Sequence, residues 1–285
     1  MKKILILANS SGGLYDFRND FVLGLLKDYE VYVSLPDEVK TKELAEEGCK
    51  IIKTPINRRG VNPVEDFKLF LTYRRLMKEI KPDLVATYTI KPNIYGGMAA
   101  RSRKIPYIET ITGLGGAFDR KGLFLKLIVT LYRIGMKKAE CIFFQNRENR
   151  QIFRDFGIKG KSECLVNGSG VDLMRHTFEP YPTDEKCQFL FVGRVMKERG
   201  IVEFLEAAKK LHGENVEFAI LGYCDEDYQQ QLDDLEKQGV LTQLGFHTEV
   251  HPYLKAASAI VIASFHEGMS NALIEASATG RPVIA

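Results

Sequence analysis

The chain has 285 residues, of which 45% are hydrophobic and 27% are charged, as in a globular protein large enough for two domains. Its five cysteines are scattered without a Cys-x-x-Cys pair, which argues against structural zinc and against a disulfide framework. No stretch approaches about 18 consecutive apolar residues, so the sequence excludes a membrane-spanning helix.

Charge is distributed unevenly along the chain. Residues 1–182 contain 31 Lys and Arg against 21 Asp and Glu, a balance of +10, whereas residues 183–285 have a balance of −7. The first half is therefore expected to meet an anionic surface or ligand, such as an anionic membrane, although solvated lysine-rich helices would give the same count. No nucleic-acid partner is expected.

Strands and helices alternate from the start of the chain, which predicts a parallel sheet with helices on both faces. Short apolar runs predict strands at 2–8, 30–35, 49–55, 83–88, 105–111, 140–146 and 162–168. Amphipathic segments predict helices at 16–27, 39–47, 63–80, 95–103, 123–138 and 147–156.

The helix predicted at 123–138 is apolar and carries basic residues at its ends. A membrane-interfacial helix would have this pattern, and so would a buried helix with solvated ends. The basic residues in question are Lys121, Lys126, Lys137 and Lys138.

A proline-containing, charged segment at 179–186 predicts a domain boundary, which gives domains at 1–182 and 183–285. A second alternating set follows it. Strands are predicted at 187–193, 216–222, 241–246 and 259–264, with helices at 201–211, 228–238 and 250–257. The chain ends at a further strand, Val283 to Ala285. The predicted fold class is therefore α/β, with two Rossmann-like domains.

The last nineteen residues, EGMSNALIEASATGRPVIA, hold two glutamates eight positions apart. Gly268 breaks the preceding strand, and Ser270 or Asn271 is suited to cap a helix whose N-terminus favours an anion. Glu267 precedes this turn and Glu275 lies more than one turn into the helix, so their carboxylates are expected about 7–10 Å apart. That span suits two polyol ends of one ligand with a diphosphate between them.

This segment resembles the signature of retaining glycosyltransferases of family 4, which have two Rossmann-like domains in the GT-B arrangement. The resemblance implies that Glu267 approaches the donor sugar and that Glu275 binds the ribose of the nucleotide. It also implies that the backbone of Gly268, Met269 and Ser270 contacts the donor diphosphate. Family members normally continue beyond the last strand, so the resemblance implies an incomplete second domain.

The loop after the first strand of the second domain reads FVGRVMKERG. Gly193 ends the strand, and two fixed cations, Arg194 and Arg199, can offset the charge of a departing diphosphate. The resemblance implies a catalytic role for both, although the family usually has Lys where Arg199 stands. The triplet Asp225 to Asp227 superficially suggests a metal site, but the resemblance implies none.

In the first domain, Gly12 and Gly13 follow the first strand and would allow close approach of a ligand to the backbone. The surrounding loop is not a nicotinamide-binding fingerprint, and an ordinary tight turn explains the two glycines equally well. Lys91 and Thr112 lie at the carboxyl ends of later strands, where parallel sheets bind ligands. The resemblance makes them acceptor-side candidates, with Lys91 suited to a phosphate.

The resemblance as a whole implies transfer of a hexose or N-acetylhexosamine from a UDP-sugar to a polyprenyl-diphosphate-linked saccharide in surface polysaccharide synthesis. Neither a metal nor another cofactor is expected. The protein would be cytoplasmic and peripheral at the inner face of the plasma membrane. Two alternatives stay open, a sugar-nucleotide epimerase on the same fold and an inactive, truncated binding protein.

Overall fold

The computed structural model describes residues 1–57, 62–114, 118, 122–183 and 186–285. These residues form two compact units, Met1–Ser169 and Gly170–Ala285. Each unit consists of a parallel sheet flanked by helices, and the predicted α/β class is confirmed. The division between the units comes earlier than the predicted boundary at 182/183.

The segment between these two positions belongs to the second unit because a buried arginine holds it there. Arg281 is only 3% exposed, and its guanidinium donates to the carbonyl oxygens of Glu179 at 3.0 Å and Pro180 at 2.7 Å. The same guanidinium donates to the carbonyls of Leu254 and Lys255, so one side chain ties the segment to the body of the second unit.

In the first unit the described strands form a seven-stranded parallel sheet in the order β3-β2-β1-β4-β5-β6-β7. The strands are β1 (Lys2–Leu7), β2 (Tyr29–Leu35), β3 (Lys50–Lys53), β4 (Leu84–Tyr88), β5 (Tyr107–Ile111), β6 (Cys141–Phe144) and β7 (Glu163–Leu165). The helices are α1 (Ser11–Leu26), α2 (Thr41–Glu46), α3 (Pro63–Ile80), α4 (Gly97–Arg103), α5 (Leu123–Met136) and α6 (Arg147–Asp155). A π-helical turn, Pro92–Gly96, precedes α4.

Burial of the sheet on both faces explains why its central strands are continuously apolar. In β1, Leu5 and Leu7 pack into the cluster formed with α3, α4 and α5, whereas Ile4 and Ile6 pack into the cluster formed with α1 and α2. The helix α1 begins at Ser11, five residues before the predicted start, because the Ser10 hydroxyl caps it by accepting from the Gly13 N–H at 3.2 Å.

In the second unit the described strands form a five-stranded parallel sheet in the order β10-β9-β8-β11-β12. The strands are β8 (Cys187–Val192), β9 (Val216–Leu221), β10 (Thr242–Gly245), β11 (Ala259–Val261) and β12 (Val283–Ile284). The helices are α7 (Ile201–Lys210), α8 (Gln229–Lys237), α9 (His251–Ala256) and α10 (Asn271–Ala278). Within the described residues no helix is both long and apolar enough to cross a membrane.

A carboxyl group lies inside the core of the first unit. Glu109 of β5 is fully buried, and neither of its carboxyl oxygens has a hydrogen-bond partner among the described residues. Gly97 and Gly135 allow the helices to close over it, since a Cβ at Gly97 would lie 2.2 Å from Glu109 Oε1 and 2.8 Å from the Gly135 carbonyl oxygen. Burial raises the pKa of Glu109 well above its ordinary value of 4.5, which favours the neutral form of this side chain.

Glu109→Met should therefore stabilise the protein most at high pH. The folded chain holds this proton more tightly than the unfolded chain. Glu109 therefore contributes fully to the free energy of unfolding below the ordinary glutamate pKa, and this contribution is lost as the pH rises. We expect a gain of about 1 kcal/mol or more near pH 8 and a smaller gain near pH 5. Urea unfolding at both pH values measures it, with the exposed Glu46→Gln as control. An equal effect of Glu109→Met at the two pH values would contradict the buried-acid assignment.

Candidate functional site

The start of α10 offers polar groups without partners at the carboxyl edge of the second sheet. Ser270 is buried at the N-cap position, yet its side chain makes no capping hydrogen bond. Ser264 Oγ and Asn271 Oδ1 are buried without a hydrogen-bond partner among the described residues. Gly268 is buried beside them and Met269 is exposed. Buried polar atoms of this kind require a partner, and a helix N-terminus favours an anionic one.

Two loops meet at this edge, and their contacts bring two predicted catalytic residues together. The arginine loop comprises residues 193–200 and the glutamate loop comprises residues 262–270. The Arg199 guanidinium donates to the Glu267 carboxylate, forming a salt bridge. The Phe265 N–H donates to the Glu198 carbonyl at 3.1 Å, which joins the two backbones. The salt bridge thus places Arg199 and Glu267 side by side at this edge.

Glycine makes the close approach of these loops possible. Gly200 has a φ of 76°, in the left-handed region, and a Cβ there would lie 2.2 Å from the Ala263 carbonyl oxygen. Gly193 makes a second close contact, because a Cβ at Gly222 would lie 1.8 Å from the Gly193 carbonyl oxygen. The arginine loop is therefore packed against the backbone at two places, Ala263 of the glutamate loop and Gly222 just after β9.

The acidic triplet 225–227 supports the arginine loop. The Arg194 guanidinium donates to Asp225 Oδ2 at 2.7 Å, and the Lys197 N–H donates to Glu226 Oε2 at 2.9 Å. Burial lowers the pKa of Arg199, and the nearby positive charge of Arg194 lowers it further. Within the described residues, no group of three or more Asp, Glu, His or Cys side chains is placed to hold a metal ion.

Glu275 lies one turn into α10 and has a neighbour that sequence reasoning missed. Its side chain is 14% exposed, and its Oε1 lies 3.9 Å from His176 Nε2. His176 is buried edge-on against the His251 ring, and burial lowers its pKa, so the imidazole is neutral at neutral pH. No signal in the sequence reveals this histidine, because it lies in the segment taken as the end of the first domain.

The predicted ligand-binding residues of the first unit lie in different surroundings. Gly12 and Gly13 lie in the first turn of α1, and Gly13 lines a pocket together with Thr112. Lys91 is instead held inside the protein, where its Nζ lies 2.7 Å from Asp66 Oδ1 and its side chain is 13% exposed. The hydroxyl of Tyr95 donates to the other oxygen of the same carboxylate at 3.0 Å. The phosphate-binding role of Lys91 stays a prediction, and its observed contact is a buried ion pair.

Comparison with known proteins identifies the class. A family model described as "Glycosyl transferase 4-like" matches residues 3–146, and one described as "Glycosyl transferases group 1" matches residues 186–285. The chain is therefore a glycosyltransferase by family. More particularly, it belongs to the glycosyl transferase 4-like family.

Curated relatives span most of the chain. The N,N'-diacetylbacillosaminyl-diphospho-undecaprenol alpha-1,3-N-acetylgalactosaminyltransferase of Campylobacter jejuni is 26% identical over 99% of this chain and 80% of the relative. The UDP-Gal:alpha-D-GlcNAc-diphosphoundecaprenol alpha-1,3-galactosyltransferase of Escherichia coli is 28% identical over 79% of this chain and 63% of the relative.

Among solved structures, Anabaena HepE in complex with UDP-glucose superposes with a TM-score of 0.76 at 16% identity, over 99% of this chain and 80% of that chain. At this identity the likeness shows a shared fold, which is the predicted GT-B fold of glycosyltransferases.

Gly200→Ala should separate the arginine loop from the glutamate loop. The new Cβ meets the Ala263 backbone, so we expect a loss of about 2 kcal/mol or more in the free energy of unfolding. Gly213→Ala is the matched control, because Gly213 also has a left-handed φ of 93°, but no atom of the described residues lies within 4 Å of the position that a Cβ would take there. Urea unfolding of both variants measures the difference. Equal losses would show that backbone strain, and not the loop contact, explains the effect.

Proposed function

We propose that this protein is a retaining glycosyltransferase that transfers a hexose or N-acetylhexosamine from a UDP-sugar to a polyprenyl-diphosphate-linked saccharide. The two curated relatives support the acceptor class, since both are named for diphospho-undecaprenol substrates. The name of the E. coli relative supports UDP as the nucleotide of the donor. The observation that carries the proposal is the contact between Arg199 and Glu267 beside the start of α10.

The donor is proposed to bind the second unit along the line from Glu275 to Glu267. Glu275 accepts hydrogen bonds from the ribose hydroxyls, and the α10 N-terminus holds the diphosphate with the backbone of Gly268, Met269 and Ser270. Glu267 accepts from hydroxyls of the donor sugar. Binding of the sugar therefore competes with Arg199 for the Glu267 carboxylate, which turns the guanidinium toward the diphosphate.

Transfer is proposed to proceed on one face of the donor sugar. The acceptor hydroxyl attacks the anomeric carbon as its bond to the diphosphate breaks, and the hydroxyl proton passes to the departing phosphate oxygen. Arg194 and Arg199, together with the helix N-terminus, offset the charge that develops on the diphosphate. Charge compensation by two arginines gives the proposed mechanism a route that requires no metal ion.

Glu275→Gln should weaken UDP binding, whereas Glu267→Gln should mainly slow transfer. Charge-assisted hydrogen bonds contribute about 1.5–3 kcal/mol, so we expect losses of about tenfold to a hundredfold. Calorimetric titration with UDP and turnover at saturating donor measure the two effects, with the exposed Glu214→Gln as control. UDP affinity that is unchanged in Glu275→Gln would refute the ribose assignment.

We further propose that α5 lies on the cytoplasmic face of an anionic membrane. Leu123, Leu127 and Ile134 are 84%, 46% and 39% exposed and recur at helical spacing along one side of this helix. Lys126, Lys137 and Lys138 are exposed on the same helix and just beyond its end. An apolar stripe flanked by lysines is the pattern of an interfacial helix. Lys121, which was predicted to contribute, lies outside the described residues.

Reversal of Lys126, Lys137 and Lys138 to Glu should lower affinity for anionic vesicles by about a hundredfold, since each lysine near such a surface contributes about 1 kcal/mol. Vesicle co-sedimentation at low and high salt measures this. The control variant reverses three exposed lysines of α7 and α8 in the second unit, namely Lys209, Lys210 and Lys237. Equal binding of the parent protein to neutral and anionic vesicles would contradict the proposal.

A further inference from the structure

A buried histidine from the segment before β8 faces the carboxylate of Glu275. His176 Nε2 lies 3.9 Å from Glu275 Oε1, and the two side chains are only 6% and 14% exposed. The His176 N–H donates to the Asp172 carbonyl at 2.8 Å, and the Asp172 carboxylate accepts from the Met174 N–H at 2.8 Å in the same turn. The backbone of this turn therefore fixes the place from which His176 reaches α10.

The packing of His176 does not explain why it is a histidine. Its Nδ1 is buried and has no hydrogen-bond partner among the described residues. The 3.9 Å separation of Nε2 from the Glu275 carboxylate is longer than a hydrogen bond, so this contact is an electrostatic attraction. A buried polar atom without a partner destabilises the folded state, and such an atom requires an explanation. An apolar ring would fill the same space without this cost.

A second histidine holds the His176 ring in place. The ring of His251, at the start of α9, packs edge-on against it with the ring centroids 5.7 Å apart. The Thr279 hydroxyl donates to the Glu275 carbonyl at 2.8 Å, so its oxygen is an acceptor for His251 Nδ1, which lies 3.3 Å away. His251 is thus tied to α10, and the position of the His176 ring beside the Glu275 carboxylate is fixed from two sides.

The proton of the His176 ring faces this carboxylate. Burial lowers the pKa of His176, and the positive charge of Arg175 lowers it further, which favours the neutral imidazole near pH 7. A neutral imidazole has one N–H group, and its neighbours decide which nitrogen carries it. Nδ1 has no acceptor among the described residues, whereas Nε2 faces Glu275 Oε1. The Nε2–H group therefore points to the carboxylate and favours one orientation of it.

We propose that His176 is a positioning residue of the donor site, which orients the Glu275 carboxylate for the ribose hydroxyls through its Nε2–H group. The inference rests on the proposed role of Glu275 and extends it to a residue that does not touch the ligand. A carboxylate that is already restrained loses less conformational freedom when the ribose binds, so the histidine raises affinity without a contact of its own.

The experiment titrates the full chain by calorimetry near neutral pH with UDP and with 2′-deoxy-UDP, which lacks one ribose hydroxyl. His176→Phe keeps a ring and removes the donor, whereas His176→Gln keeps an N–H donor near the position of Nε2. Both are compared with Glu275→Gln and with the double variant of Glu275→Gln and His176→Phe. The matched control is His212→Phe, because His212 is an exposed histidine of the same unit.

We expect His176→Phe to lower the affinity for UDP by about twofold to tenfold, as for loss of one hydrogen bond between the ring and the carboxylate. The preference for UDP over 2′-deoxy-UDP should fall with it, and His176→Gln should restore most of both. In the Glu275→Gln background, His176→Phe should have no further effect, because a residue that acts through Glu275 needs its carboxylate. The unfolding temperature of His176→Phe should be kept or raised, since a buried polar atom without a partner is removed.

Unchanged UDP affinity in a folded His176→Phe would overturn the inference, and so would additive losses in the double variant. His176→Leu removes the same donor in a smaller side chain and replaces His176→Phe in both comparisons if the phenylalanine ring does not fit. A second readout does not involve the nucleotide. Nitrogen NMR of the parent should show the Nε2–H tautomer of His176, and an Nδ1–H tautomer would overturn the inference whatever the affinity for UDP.

The failure of this inference can be told apart from that of the proposed function. If Glu275→Gln weakens UDP binding while His176→Phe leaves it unchanged, the positioning role alone is wrong. If Glu275→Gln leaves UDP affinity unchanged, the ribose assignment is wrong, and the role of His176 falls with it.

Discussion

The candidate donor site depends on the junction between the arginine loop and the glutamate loop. A salt bridge between Arg199 and Glu267, one backbone hydrogen bond and the close approach of Gly200 to Ala263 hold the two loops together. The junction places a carboxylate and a guanidinium beside a helix N-terminus. A salt bridge at this degree of exposure contributes little to stability by itself. Its importance lies in the positions that it imposes on two charged groups.

Several ionisable side chains are buried in the structure, and they avoid the cost of burying a charge in different ways. Arg281 is buried but satisfied, since several carbonyl oxygens accept from it and fix the segment that precedes β8. Glu109 is buried, and its carboxyl oxygens have no hydrogen-bond partner among the described residues. Burial raises its pKa and so favours the neutral form, which avoids the cost of burying a charge. An arginine cannot release its proton in this way, so Arg281 depends on those carbonyl oxygens instead.

Much of the fold could be predicted because its signals are local. The apolar runs of β1 and β8 and the bounds of α3 follow from periodicity and from capping residues that lie next to each other in the chain. The structure departs from these local patterns where the contact of a single side chain changes the outcome. Ser10 caps α1 earlier than the apolar pattern suggests, and Arg281 attaches the segment before β8 to the second unit from about a hundred residues away.

The sequence by itself determined the α/β class, the alternation of elements and the residues that carry the glycosyltransferase signature. Each of these depends on residues that lie only a few positions apart in the chain. Only the tertiary structure decided which of these residues meet. It paired Arg199 with Glu267, placed His176 beside Glu275 and buried Lys91 against Asp66. Partners far apart in sequence are chosen by the packing of strands and helices, and no local spacing encodes that choice.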